Sequence, residues 1–195
     1  MMVIQSSANH DPEPETLRAA QRRLTRERIV DALVALIDDE HPLEVSMAQV
    51  AARAHVSEPT LYRHFPTKRD LFGALAAMQF ARVTERLRPD SVDDLAAAVT
   101  TVFQRSAGME SVVRWTLAAP DPARVPRPNA DSRLATIRRA LGDAIAGESA
   151  ADREHLVRVV LLLTSPMAWL YWKDYLGLEA GGAAETAAWA IRRLV

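Results

Sequence analysis

Residues 46–72 read SMAQVAARAHVSEPTLYRHFPTKRDLF. Ser46-Met47-Ala48-Gln49 has the form of a capping box, in which the serine oxygen takes an orphan amide and the glutamine side chain reaches back. It predicts a short helix over about 47–54, with Val50, Ala51 and Ala54 inward. Ser57 caps a further helix, where Pro59 is tolerated in the first turn because that amide has no intrahelical partner. Leu61 and Phe65, four apart, mark its buried side, and Pro66 stops it. Thr67-Lys68-Arg69-Asp70 opens a long helix, 68–87, with Leu71, Leu75 and Met78 on one side and Pro89 beyond its end. Upstream, Ile29, Leu33, Leu36 and Ile37 recur at helical spacing and predict a first helix over about 22–38, closed by Asp38-Asp39-Glu40 and His41-Pro42. Three short helices with a tight turn between the second and third are the geometry that presents a helix to the DNA major groove, about 12 Å wide.

Composition sets the frame around this stretch. The chain has 195 residues, 49% of them hydrophobic, enough to bury a sizeable core. Alanine (34) and leucine (21) dominate while glycine numbers 7, so the composition reads all-α and excludes a sandwich or barrel. With no cysteine there is no disulfide framework, thiolate nucleophile or cysteine-based zinc site, which fits a reducing interior and a cytoplasmic location. The longest uncharged stretch, Val159–Trp172, is 14 residues, short of the roughly 20 that a spanning helix needs, and no apolar signal core precedes it at the N-terminus. Neither a membrane nor a secreted protein is expected. A net charge of −1 excludes a polycationic coat yet allows a local basic surface.

The first 16 residues are polar and aperiodic, which predicts a disordered tail over 1–17. A cationic run follows, Arg18, Arg22, Arg23, Arg26 and Arg28. Beyond Pro89, apolar spacing predicts helices carrying Val92–Phe103, Met109–Ala118 and Leu134–Ile145, with a proline-rich loop over 120–128. Ser149 caps a helix that runs to Leu176 with a kink at Pro166, and around Val159–Leu163 it is apolar on every face, which predicts burial on all sides. A last helix covers about 183–194. The organisation is a short-helix domain over 18–72 joined by the helix 68–87 to a larger helical domain over 73–195.

Residues 46–72 resemble the helix-turn-helix of the TetR (tetracycline-repressor-like) family of bacterial transcriptional regulators. The likeness is strongest in Thr60-Leu61-Tyr62-Arg63-His64-Phe65, followed by Lys68 and Leu71-Phe72. It extends more coarsely to Trp169, Asp174, Gly177, Leu178, Ala184, Ala188, Trp189 and Ala190. Two positions depart from the pattern: His55 stands where the family usually has glycine in the turn, and Glu58 puts a negative charge on the reading end.

Read from the residues, Ser57, Glu58 and Thr60 lie at the end of a reading helix that points at base edges. Glu58 suits cytosine N4 and Thr60 a thymine methyl or a phosphate. Tyr62 and His64 are expected to donate to phosphate oxygens; their plainer roles, covering the domain seam and capping a carbonyl, stay open beside it. Lys68, at a helix start, and Ser46, at the amide end of the second helix, offer phosphate sites. Arg22, Arg23 and Arg26 form either an ordinary solvated face or an arm on the DNA backbone or in the minor groove.

Phe103, Met109, Trp115, Met167, Trp169, Tyr171 and Trp172 concentrate aromatics and thioethers in the C-terminal half, as plain core or as the lining of a site for a small hydrophobic ligand. The resemblance implies an inducer pocket there, and a homodimer built by the last two helices, with Ala187, Trp189, Ala190 and Leu194 at the contact. Enzyme signatures are absent, the five histidines lack metal-ligand spacing, and no cofactor or metal is expected. The expected function is a DNA-binding regulator, a repressor released from a palindromic duplex operator by a small molecule. The alternative is a dimeric ligand-binding or scaffold protein whose helix-turn-helix no longer binds DNA.

Overall fold

A computed structural model describes residues 16–40, 44–118 and 128–195. The expected tail, apart from its last two residues, the His41-Pro42 stop and most of the proline-rich loop lie outside the described residues. Within them the chain is all α-helical: α1 (Leu17–Glu40), α2 (Met47–Arg53), α3 (Glu58–His64), α4 (Lys68–Thr84), α5 (Val92–Ala107), α6 (Glu110–Ala118), α7 (Pro128–Leu141), α8 (Ala150–Leu163), α9 (Pro166–Leu176) and α10 (Ala180–Leu194).

The helix starts follow the caps in the sequence. Ser46 accepts from Gln49 N while the Gln49 side chain takes Ser46 N, and Thr67 and Asp70 repeat this reciprocal arrangement at α4. Ser57, Ser91, Ser149 and Ser165 cap α3, α5, α8 and α9. The long helix expected to run to Leu176 is two helices. Pro166 lacks the amide needed to continue α8, and Ser165 turns the chain by capping Ala168 N, so the result is a break instead of a kink. Similarly, α4 stops at Thr84, three residues short of the expected 87. Arg86 takes a φ of +62°, and the Arg105 guanidinium receives the chain end by donating to the carbonyls of Arg82, Val83 and Glu85.

Two hydrophobic cores result. One gathers Ile29, Leu33 and Ile37 of α1 with Val50, Leu61, Phe65, Leu71 and Leu75, each side chain contributing about 1.5–3 kcal/mol by burial. It also takes in Val112 of α6, with Trp115 packed against it. The other gathers Leu95, Val99 and Phe103 of α5, Leu141 of α7, Val157 and Val160 of α8, Trp169 of α9 and the inner face of α10. Here Ala183, Ala184 and Ala187 are fully buried and let α10 lie close along α5. Helix α6 therefore belongs to both halves, and the packing does not divide cleanly at residue 72.

The middle of α8 departs from the expectation of all-round burial: Val159 is 43% and Leu162 55% exposed. Val157 and Val160 enter the core with Leu156, Leu161 and Leu163 packed against it, while Val159 and Leu162 face outward on the single chain.

Candidate nucleic-acid interface

The seven residues of α3 are held from below and open above. Leu61 and Phe65 are fully buried and seat the helix on α1. Ser57, Glu58, Arg63 and Tyr62 point to solvent, Tyr62 being 45% exposed, and Thr60 is half-buried. Ser57 Oγ accepts from Thr60 N at 3.3 Å and meets Thr60 Oγ1 at 2.9 Å, which stiffens the end that carries Glu58. The turn before α3 is closed by His55 N donating to Ala52 O and Val56 N to Ala51 O, and it requires a φ of +51° at His55. That is the left-handed region a glycine adopts freely, so histidine holds it under strain.

Ser46 and Lys68 flank α3 at the starts of α2 and α4. The Ser46 hydroxyl is engaged with Gln49. The Lys68 ammonium lies 5.5 Å from the centre of the Phe72 ring and makes no ion pair among the described residues. His64, 9% exposed, is far less open to solvent than Tyr62. Burial first, then the charges of Arg63, Arg26 and Arg22, hold its imidazole below the usual 6.5, which favours the neutral ring.

The basic run is helical. Residues 17–28 of α1 extend beyond the core as an exposed or half-buried rod, about 18 Å long at 1.5 Å per residue. Arg18, Arg22 and Arg26 stand four apart and prolong the row of buried Val30, Leu33 and Ile37. The three expected arm residues have different surroundings. Arg26 donates to the His64 carbonyl and lies over Phe65, and Arg23 pairs with Glu27. Arg22 makes no ion pair among the described residues, although its charge reaches His64.

The expected pocket residues fall into three environments. Phe103 and Trp169 are wholly buried in the second core, with Met109 and Trp172 half-buried against it. Trp115 packs on the first core, its ring centre 4.8 Å from that of Phe72 in an edge-to-face arrangement. Met167 and Tyr171 are exposed on the outer side of α9, where Tyr171 stacks on Tyr175 at 4.6 Å. Among the described residues, Ser106 Oγ and Trp169 Nε1 are buried without a hydrogen-bond partner. The expected dimer residues divide likewise. Ala187 is covered by its own chain and Ala190 is half-buried, whereas Trp189, 63% exposed, and Leu194 face outward.

One junction has no counterpart in the sequence reading. Arg114 of α6 donates through both terminal nitrogens to Asp174 of α9 and through Nε to Glu110, which also receives Lys173. These hydrogen bonds hold both carboxyls below their usual range and raise the Lys173 ammonium. On its other side α6 meets α4, where Thr116 Oγ1 donates to Gln79 Oε1 at 3.0 Å. Only the Glu110–Arg114 step, four apart on one helix, leaves a trace in sequence.

The family model for bacterial regulatory proteins of the tetR family matches residues 29–75, which are α1 from Ile29 through the first half of α4. The nucleoid occlusion factor SlmA of Idiomarina loihiensis is 42% identical over 57 residues, and the match spans 29% of each chain. The HTH-type transcriptional repressor KstR of Mycobacterium tuberculosis is 30% identical over 173 residues, covering 81% of this chain and 76% of the relative. A TetR transcriptional regulator from Rhodococcus sp. RHA1 has the same fold, with a TM-score of 0.61 at 21% identity over 90% of this chain and 97% of that one.

Proposed function

The chain belongs to the tetR family of bacterial regulatory proteins, and from that membership we propose that it is a transcriptional repressor that reads duplex DNA with α3. The observation that carries this reading is the two-sided character of α3: Leu61 and Phe65 are fixed in the core while Glu58 and Tyr62 stand in solvent. Tyr62 and Lys68 donate to backbone phosphates, Ser46 and Ser57 line the same face, and Thr60 and Glu58 select bases. His64 serves from beneath, as a neutral group that seats the end of the helix. Arg22, with Arg18, follows the phosphates flanking the site.

One seven-residue helix gives little specificity, so the protein acts as a homodimer with its reading helices about 34–36 Å apart, one turn of a palindromic operator. The apolar side chains left outside on α8 and α9, Leu162, Met167, Tyr171 and Tyr175, together with Trp189 and Leu194 of α10, suit the dimer contact better than Ala187, which is used within the chain. A small effector enters the larger half, where the unpartnered Ser106 Oγ and Trp169 Nε1 would take its polar atoms. It favours a conformation in which α6, tied to Asp174 on one side and to Phe72 and Gln79 on the other, draws α4 and the reading helix off the one-turn spacing. A preference of about 1.4 kcal/mol for that state changes operator affinity about tenfold.

Nuclease footprinting on DNA upstream of the protein's own gene tests the proposal. Two protected half-sites, centred about one helical turn apart, are expected; a single or unprotected site would contradict it.

A further inference from the structure

Arg133, on the second turn of α7, is half-buried against α8. Its Nη2 donates to Leu161 O at 3.1 Å, and among the described residues no carboxylate pairs with it. The neighbouring acids are engaged elsewhere: Glu154 takes two hydrogen bonds from Arg138, and the charge of Asp131 acts on Arg138 as well. Burial, opposed by no negative charge among the described residues, holds the Arg133 guanidinium below its ordinary range.

The obvious structural role, closing the end of α8, is already filled. Val160 O receives both the amide and the hydroxyl of Thr164, at 2.9 and 2.8 Å. Leu162 O receives the amide and the hydroxyl of Ser165, at 3.0 and 2.7 Å. Leu161 O, the acceptor Arg133 uses, is also within 3.2 Å of the Thr164 hydroxyl. With Arg133 removed, the single Thr164 hydroxyl proton can turn to Leu161 O while Val160 O keeps the Thr164 amide, so each of these carbonyls retains a donor. A half-buried cation whose one hydrogen bond is dispensable carries a desolvation cost with little return, unless a counter-anion visits it.

We propose that Arg133 anchors the carboxylate of an amphiphilic ligand. The two carboxylate oxygens take a parallel pair of its N–H groups, and the apolar chain lies among the half-buried leucines of the same two helices, Leu134, Leu161 and Leu163. This rests on the reading of the larger half as the effector-binding part, and it narrows the effector from a small hydrophobic molecule to an organic acid with an aliphatic body.

The test uses the full chain without DNA and compares laurate, methyl laurate and lauryl alcohol by calorimetry and melting temperature. A series from hexanoate to palmitate allows for chain length. The wild type is expected to bind the acid at least about tenfold more tightly than the ester or alcohol. Arg133→Met should abolish that preference and, with no ligand present, raise the melting temperature. Arg133→Lys, which keeps the charge and loses the fork, should retain only part of the preference. Equal binding of acid and ester by the wild type, no binding of any acid in the series, or an undiminished preference in Arg133→Met would overturn the proposal. Operator binding by the ligand-free wild type is read separately by mobility shift. Its failure beside intact laurate binding would refute the repressor reading and leave this site standing.

Discussion

The guanidinium of Arg26 on α1 donates to the carbonyl of His64, the last residue of α3, and sits 4.2 Å from the centre of the Phe65 ring. A residue 38 positions upstream thus fixes the far end of the reading helix. Arg22, one turn before it, carries a charge with no ion pair among the described residues. Their replacements should therefore differ in kind. Arg26→Ala is expected to lower stability by about 1–2 kcal/mol in urea unfolding, from the lost hydrogen bond and ring contact, while leaving the salt slope of DNA binding unchanged. Arg22→Ala should leave stability within about 0.5 kcal/mol and reduce that slope by about one. Identical behaviour of the two variants would refute the division.

His64 links stability to pH. Its folded value lies below the unfolded 6.5, so the folded state favours the neutral ring. The associated stability is present above 6.5 and is lost as pH falls through the folded value, when a proton must be placed among Arg63, Arg26 and Arg22. Urea midpoints of the wild type should decline as pH falls below 6.5, and His64→Gln should flatten that decline. A slope that Gln leaves untouched would assign the effect elsewhere.

The strained turn makes a separate prediction. His55 holds a φ of +51°, so His55→Gly should stabilise the protein by roughly 0.5–1 kcal/mol, the relief being partly offset by the freedom glycine adds to the unfolded chain. Thermal unfolding measures this. Operator affinity should not change, and a loss of affinity would make His55 a DNA contact.

Trp115 joins the halves by packing on Phe72. Trp115→Ala is expected to cost about 3 kcal/mol and to weaken the response of operator binding to any ligand that releases the wild type. Equal release in the variant and the wild type would remove α6 from the coupling path.

Local chemistry explains which features were legible in sequence. The boundaries of α2, α3 and α4 follow from Ser46, Ser57 and Thr67 with their partners three residues on, because a capping box lies within one turn. The buried pair Leu61 and Phe65 follows from helical spacing. What depended on distant partners was not legible. Nothing near Arg26 announces that its acceptor is His64 O, and Arg114 meets Asp174 sixty residues away. The resemblance puts Ala187 at a dimer contact, yet in the single chain it is buried where α10 lies along α5; a small residue permits close approach to any helix, and the sequence does not name which. Likewise, the apolar run at Val159–Leu163 signals a need for cover without saying whether the same chain supplies it.

The central claim is that the exposed side of α3 reads duplex DNA while Tyr62 and Lys68 grip its phosphates. Fluorescence anisotropy over a salt series, with the upstream fragment and a scrambled duplex, tests it in wild type, Lys68→Ala and Glu58→Gln. The wild type should prefer the upstream fragment by about a thousandfold or more. Lys68→Ala should weaken both duplexes alike and lower the salt slope by about one, and Glu58→Gln should alter the preference by about 1–3 kcal/mol at one base pair. A wild type that binds neither duplex at low salt, or a Lys68→Ala variant that changes base preference with the slope intact, would contradict the account.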